Sequence, residues 1–212
     1  MTITKTLPMY IAVRLMNTVT KRCVWLNLPA IKTEFSDVIN TIGAEKGNFK
    51  IAGYHRCVPG LELDTLMDAS LSVINHFASR LNKLTDADLL KLCAIGDSLY
   101  SFNFMWQYVN FTYKPHDYTL LLGIRDAEAL GDYYLGKQNT NLQGAKFRQC
   151  VDRREYGRKL AEIERGAFTS LGYIKSKDEW SLERKTRSVP DSLDLRGYLS
   201  EDLYGDWDYC EW

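Results

Sequence analysis

Between Met9 and Leu28 the chain carries two alternating, β-branched runs, MYIAVRLM and CVWLNL, joined by the polar stretch NTVTKR. A period of two predicts strands, and the intervening turn chemistry predicts that they pair as a hairpin over 9–28. This pairing commits the N-terminal part to a small module. Pro29 suits a first helical turn, and Ala30, Ile31, Phe35, Val38, Ile39 and Ile42 recur at helical spacing until Gly43 ends the run. FKIAGYHRC, residues 49–57, predicts a third strand.

The middle of the chain changes period. Over 67–84, Leu71, Ile74, Phe77, Ala78, Leu81 and Leu84 fall on one helical face. Thr85 and Asp88 resemble a capping box ahead of a helix DADLLKLCAI ending near Gly96. The aromatic stretch 99–111 predicts a further helix, although its aromatics recur at every second position from Tyr100 to Tyr108, a period that also suits a strand. DYTLLLGI predicts a short strand over 117–124, and RDAEALGDYYLG a helix ending at Gly136. A helix over roughly 145–164 then leads to a strand AFTSLGYIK. From residue 176 onward apolar content falls, and 176–212 reads as an extension outside the core. The fold class is therefore α+β, in four segments: 1–60, 61–114, 115–175 and 176–212.

Hydrophobic residues make up 45% of the 212 and charged residues 25%, which is globular composition and excludes a disordered chain. No apolar run approaches the length of a membrane span. The N-terminal stretch lacks the pattern of a signal peptide, so a cytoplasmic protein is expected. Five cysteines at wide spacing, without a CxxC pair, predict reduced thiols rather than a disulfide or zinc framework.

Lys+Arg and Asp+Glu balance at 27 each, but unevenly along the chain. Residues 1–54 hold seven bases and three acids, whereas 176–212 hold five bases and ten acids. The last stretch, DLYGDWDYCEW, combines four carboxylates with four aromatics and no base. Solvating acidic tails are poor in aromatics, so this one is expected to bind a basic surface, either a partner's or that of its own N-terminal part.

No chemistry-bearing motif is visible. His55, His76 and His116 are scattered, with His76 expected at a surface or boundary. Glycine-rich phosphate loops and nucleophile elbows are missing. Arg153, Arg154, Glu155, Arg158 and Lys159 read as helix-surface salt bridges, and the aromatics from Tyr100 to Tyr113 as core. No catalytic residue, metal or cofactor is predicted.

Several stretches together resemble the ArdA antirestriction family of mobile elements and phages. They are Tyr10-Ile11-Ala12 with Trp25-Leu26 and Leu28-Pro29, then Ser70-Leu71, Ile74-Asn75, Ala78, Leu81 and Leu84, then Leu130-Gly131 with Tyr133-Tyr134. The closing segment is Tyr156-Gly157-Arg158 with Leu160, then Gly166, Phe168 and Gly172-Tyr173-Ile174. The resemblance covers about residues 9–174. It implies an elongated string of three small domains and a homodimer that mimics bent B-form DNA. Such a protein occupies the DNA groove of a type I restriction-modification enzyme in the host cell and is not an enzyme. The partner-binding carboxylates are then expected at Glu62, Asp64, Asp68, Asp86, Asp88, Asp97, Asp126, Glu128 and Asp132; the tail departs from the family pattern, and its own charge adds Glu201, Asp202, Asp206, Asp208 and Glu211.

A zero net charge departs from the strongly acidic family pattern, so mimicry would require the acids to segregate onto one face. The same scaffold could be directed at another DNA-binding defence complex. The rival reading is a nucleic-acid-binding or regulatory protein using Lys5, Arg14, Lys21, Arg22, Lys32, Lys46 and Lys50 with Arg153, Arg154 and Arg158. The resemblance argues against direct nucleic-acid binding, as does the missing basic excess.

Overall fold

The structure is a computed structural model and describes residues 10–45, 48–56, 58, 61, 69–137, 150–177 and 189–195. It is mixed α+β, with six α-helices and two three-stranded antiparallel sheets among the described residues. Two compact units divide them. The first takes the described residues up to Leu89, Phe102–Tyr113 and 189–195, and the second takes Leu90–Ser101 and those from Lys114 to Lys177.

The first unit opens with the predicted hairpin, β1 (Ile11–Asn17) and β2 (Cys23–Leu28), and β3 (Phe49–Arg56) pairs with the other edge of β1. Ile11, Val13 and Leu15 are fully buried on one face, as their alternation requires. Asn17 closes the hairpin. Its carboxamide oxygen accepts the N–H groups of Val19 and Thr20, and its Nδ2 donates to the carbonyls of Ile42 and Gly43. One buried side chain thus ties the turn to the end of α1 (Lys32–Thr41). That helix starts later than the sequence suggests, and Pro29 lies outside it. The reason is Glu34, whose carboxylate accepts the Ile31 N–H at 2.9 Å and so fixes Ile31 as the N-cap. Phe35 of α1 meets Phe49 of β3 edge to face.

Ser70 caps α2 (Leu71–Leu81), and the predicted apolar face of that helix is buried together with Leu84. The Thr85 hydroxyl accepts the Asp88 N–H at 3.2 Å at the start of α3 (Asp86–Gly96). The aromatic helix is shorter than predicted. Only Met105–Tyr113 is helical (α4), because the Gln107 side chain accepts the N–H groups of Asn103 and Phe104 and caps the helix there. Phe102, Trp106, Tyr108 and Phe111 are core, whereas Phe104 is half-exposed and stacks on Trp106.

His76 corrects another expectation: it is buried, with Nε2 2.9 Å from the Tyr113 hydroxyl. Burial holds its pKa below the ordinary value, helped by the charges of Arg80 and Lys83. Protonation therefore favours the unfolded chain. Stability against urea is expected to be level above about pH 6.5, the ordinary histidine value, and to fall as the pH drops below it. Urea midpoints measured from pH 8 to pH 5 check this, and His76→Phe should flatten that slope.

The predicted C-terminal extension is partly core. Leu195 is fully buried, its N–H donates to Ser72 Oγ at 2.9 Å, and Ser72 in turn donates to the Asp194 carboxylate. Asn75 explains why the chain returns here. Its Nδ2 donates to the carbonyls of both Ala30 and Leu193, while its Oδ1 accepts the Ala30 N–H.

The second unit pairs β4 (Tyr118–Leu122) with β6 (Gly172–Ser176), and β6 with β5 (Ala167–Phe168). The single predicted strand AFTSLGYIK is a tight hairpin. Thr169 breaks it by donating its hydroxyl to the Gly172 carbonyl and accepting the Gly172 N–H, and Gly172 has φ of 156°. Helices α5 (Ala127–Lys137) and α6 (Arg153–Ile163) pack against each other. Helix α6 begins at Arg153 rather than near 145, because the Asp152 carboxylate caps it by accepting the Glu155 N–H. The part of the predicted helix before residue 150, and the NTNLQG turn, lie outside the described residues.

Candidate functional site

Six of the nine predicted carboxylates between residues 62 and 132 are described; Glu62, Asp64 and Asp68, and all five in the tail, lie outside the described residues. In the first unit, Asp86 and Asp88 share the first turn of α3, where negative charge suits the helix N-terminus. The other four belong to the second unit. Asp97 is exposed and accepts the Ser170 N–H at 2.7 Å, a hydrogen bond that holds its pKa below the usual carboxylate value.

The structure brings Asp126, Glu128 and Asp132 together on α5, all three exposed. Asp126 accepts the Ala129 N–H at 2.8 Å and so acts as the cap, which explains why the helix starts at Ala127. Glu128 follows in the first turn, and Asp132 one turn later on the same side. Arg153 of α6 pairs with Asp132 at 3.1 Å. Bases are thus interleaved with these acids rather than set apart from them.

Within the basic run on α6, Arg158 and Lys159 form the helix-surface salt bridges that the sequence predicts, whereas Arg153 pairs across to α5. Arg158 binds both oxygens of Glu155 and also pairs with Glu162, and Lys159 reaches Glu155 at 3.6 Å. The Arg158 hydrogen bonds, aided by the charges of Arg158 and Lys159, draw the Glu155 pKa down to about 2. These cations are engaged by their own helix.

The residues that carry the family resemblance in this unit form its framework. A Cβ on Gly131 would lie 2.0 Å from the Arg153 carbonyl oxygen, and one on Gly157 1.7 Å from that of Ala127. The two glycines therefore set how closely α5 and α6 approach. Tyr134 and Tyr173 donate their hydroxyls to opposite oxygens of Glu164, and Lys175 donates to both Glu164 and Tyr134. Burial first, then the Glu164 charge, pushes the Tyr173 pKa upward. Tyr173 also closes the space over Gly166, where a Cβ would meet its hydroxyl at 2.1 Å.

Sequence reading missed one surface. The strand parity that buries Val13 and Leu15 puts Arg14 on the opposite face, in register with Trp25 on β2 and Gly53 on β3. A Cβ built on that glycine would lie 4.0 Å from the Trp25 ring, and Trp25 is 51% exposed. Exposed Lys50 is opposite Met16 on the same face, and the Tyr10 hydroxyl bonds exposed His55. No acidic residue occurs in any of the three strands. Arg14 and Lys50 were already among the candidate bases. The missing step was to carry the alternation across all three strands, which joins them to Trp25.

The chain matches no family model and no curated protein.

Proposed function

We propose that this protein is an antirestriction inhibitor that occupies the DNA groove of a type I restriction-modification enzyme by presenting carboxylates in place of phosphates. The observation that supports it most is the organisation of the second unit. The residues of the resemblance converge there as framework, leaving Asp126 and Glu128 at the surface of α5, with Asp132 beside them in an ion pair with Arg153. From Glu128 to Asp132 the helix rises about 6 Å, at roughly 1.5 Å per residue. That is close to the advance of two phosphates along one DNA strand, about 3.4 Å each. A ligand of this kind needs shape and charge but no nucleophile. The elongated three-domain arrangement, the homodimer and the bacterial cytoplasm belong to the same proposal.

The test is a competition titration. A type I methyltransferase core is loaded with labelled duplex, and the full chain is added at low and moderate salt. Displacement is expected, and it should weaken as salt rises. Glu128→Lys should weaken it several-fold, since a carboxylate facing a basic groove becomes a repulsive charge. Direct binding of the duplex by this protein, without displacement, would overturn the proposal.

A further inference from the structure

We infer that the exposed face of the β2-β1-β3 sheet is the docking site for this chain's own acidic, aromatic C-terminal segment, residues 196–212. The inference is independent of the antirestriction reading. It starts from the anchor at residues 193–195. Leu195 is buried in the first unit, and Asn75 holds the Leu193 carbonyl together with both backbone groups of Ala30. Ala30 is two residues beyond the end of β2. The segment therefore departs beside the strand that carries Trp25, and that strand is an edge of the sheet, so the path around it is short.

Reach is ample. Five residues separate Ala30 from Trp25, about 17 Å at strand rise. Seventeen residues extended span up to about 56 Å. The chemistry is complementary in both of its parts. The segment holds five acids, one base and five aromatics. The face offers Arg14 and Lys50 with no carboxylate on its strands, and the half-exposed indole of Trp25, whose edge comes near Gly53. Carboxylates would meet the two cations, and an aromatic ring would stack on Trp25 and remove apolar surface from water. A single-stranded nucleic acid offers the same two features, anionic charge and stacking rings, so it would compete with the segment for this face. The segment is favoured because it is tethered beside the face, at an effective concentration in the millimolar range.

Zero-length carbodiimide cross-linking of the full chain, read by peptide mass spectrometry, tests this. The expected product joins Lys50 to a carboxylate among Glu201, Asp202, Asp206, Asp208 and Glu211 in monomeric protein. It should decline at least fivefold in 0.5 M salt or with Arg14→Glu. A second measurement uses a fluorescent single-stranded oligonucleotide. The full-length variant with those five acids changed to Asn or Gln is expected to bind it at least fivefold more tightly than the parent chain. Cross-links confined to dimeric species would overturn the inference in favour of a second copy. Missing Lys50 cross-links, or equal oligonucleotide binding by both chains, would also overturn it.

Discussion

Gly157→Ala is expected to destabilise the second unit by about 3 kcal/mol, the upper end of the usual overpacking range. The added methyl carbon would lie 1.7 Å from the Ala127 carbonyl oxygen and 2.8 Å from the Gly131 nitrogen. Both are backbone atoms of the facing helix, so no side chain can rotate away and the helices must separate. Separation also loosens Leu130 and Leu135, which α5 buries. Gly131→Ala is expected to act similarly, through the Arg153 carbonyl at 2.0 Å. Gly136→Ala is the control. It is in the last turn of the same helix with nothing near its added carbon, and it should be neutral or stabilise by roughly 0.5–1 kcal/mol. Thermal unfolding followed by circular dichroism separates these cases. A Gly157→Ala melting temperature within a few degrees of the parent would show that the close approach is not maintained in solution.

Asn75→Ala carries the second large effect, in the first unit. The side chain is fully buried and makes three hydrogen bonds to backbone. Its removal leaves an N–H and two carbonyls without that partner, at roughly 1–3 kcal/mol for each group that stays buried and unsatisfied. A loss of about 3 kcal/mol is expected in urea titrations. Asn75→Asp should be no better, because a carboxylate cannot donate to two carbonyl oxygens and would bring negative charge against both. Hydrogen exchange at the Ala30 amide gives a local readout, which should accelerate in either variant. Stability unchanged in both would mean that 189–195 contributes nothing to the unit.

The strands and α2 were legible because burial on one face imposes a period, and the sequence keeps it from Ile11 to Leu15 and from Leu71 to Leu84. What failed were boundaries set by single side chains. Glu34 and Gln107 choose where α1 and α4 begin, and Thr169 splits a strand in two. Each acts through one or two hydrogen bonds, too local to disturb the pattern around it. The role of Leu195 was hidden for a different reason. An apolar residue in a charged, proline-containing stretch has no period to join, and the groups that hold this stretch, Ser72 and Asn75, lie more than a hundred positions away. The carboxylates were named by residue type, but the interleaving of Arg153 with Asp132 arises from helix pairing that no short window contains.

The contact of α5 with α6 at Gly131 and Gly157 is backbone against backbone, so the distance between the two helices does not depend on the volume of any side chain. Such a pair acts as a fixed ruler. Residues at its surface, including Glu128, Arg154 and Lys159, are exposed and can be rewritten without changing the graduations. A library that recodes these positions, with the glycines held constant, would vary the electric field of the unit while its geometry stays the same.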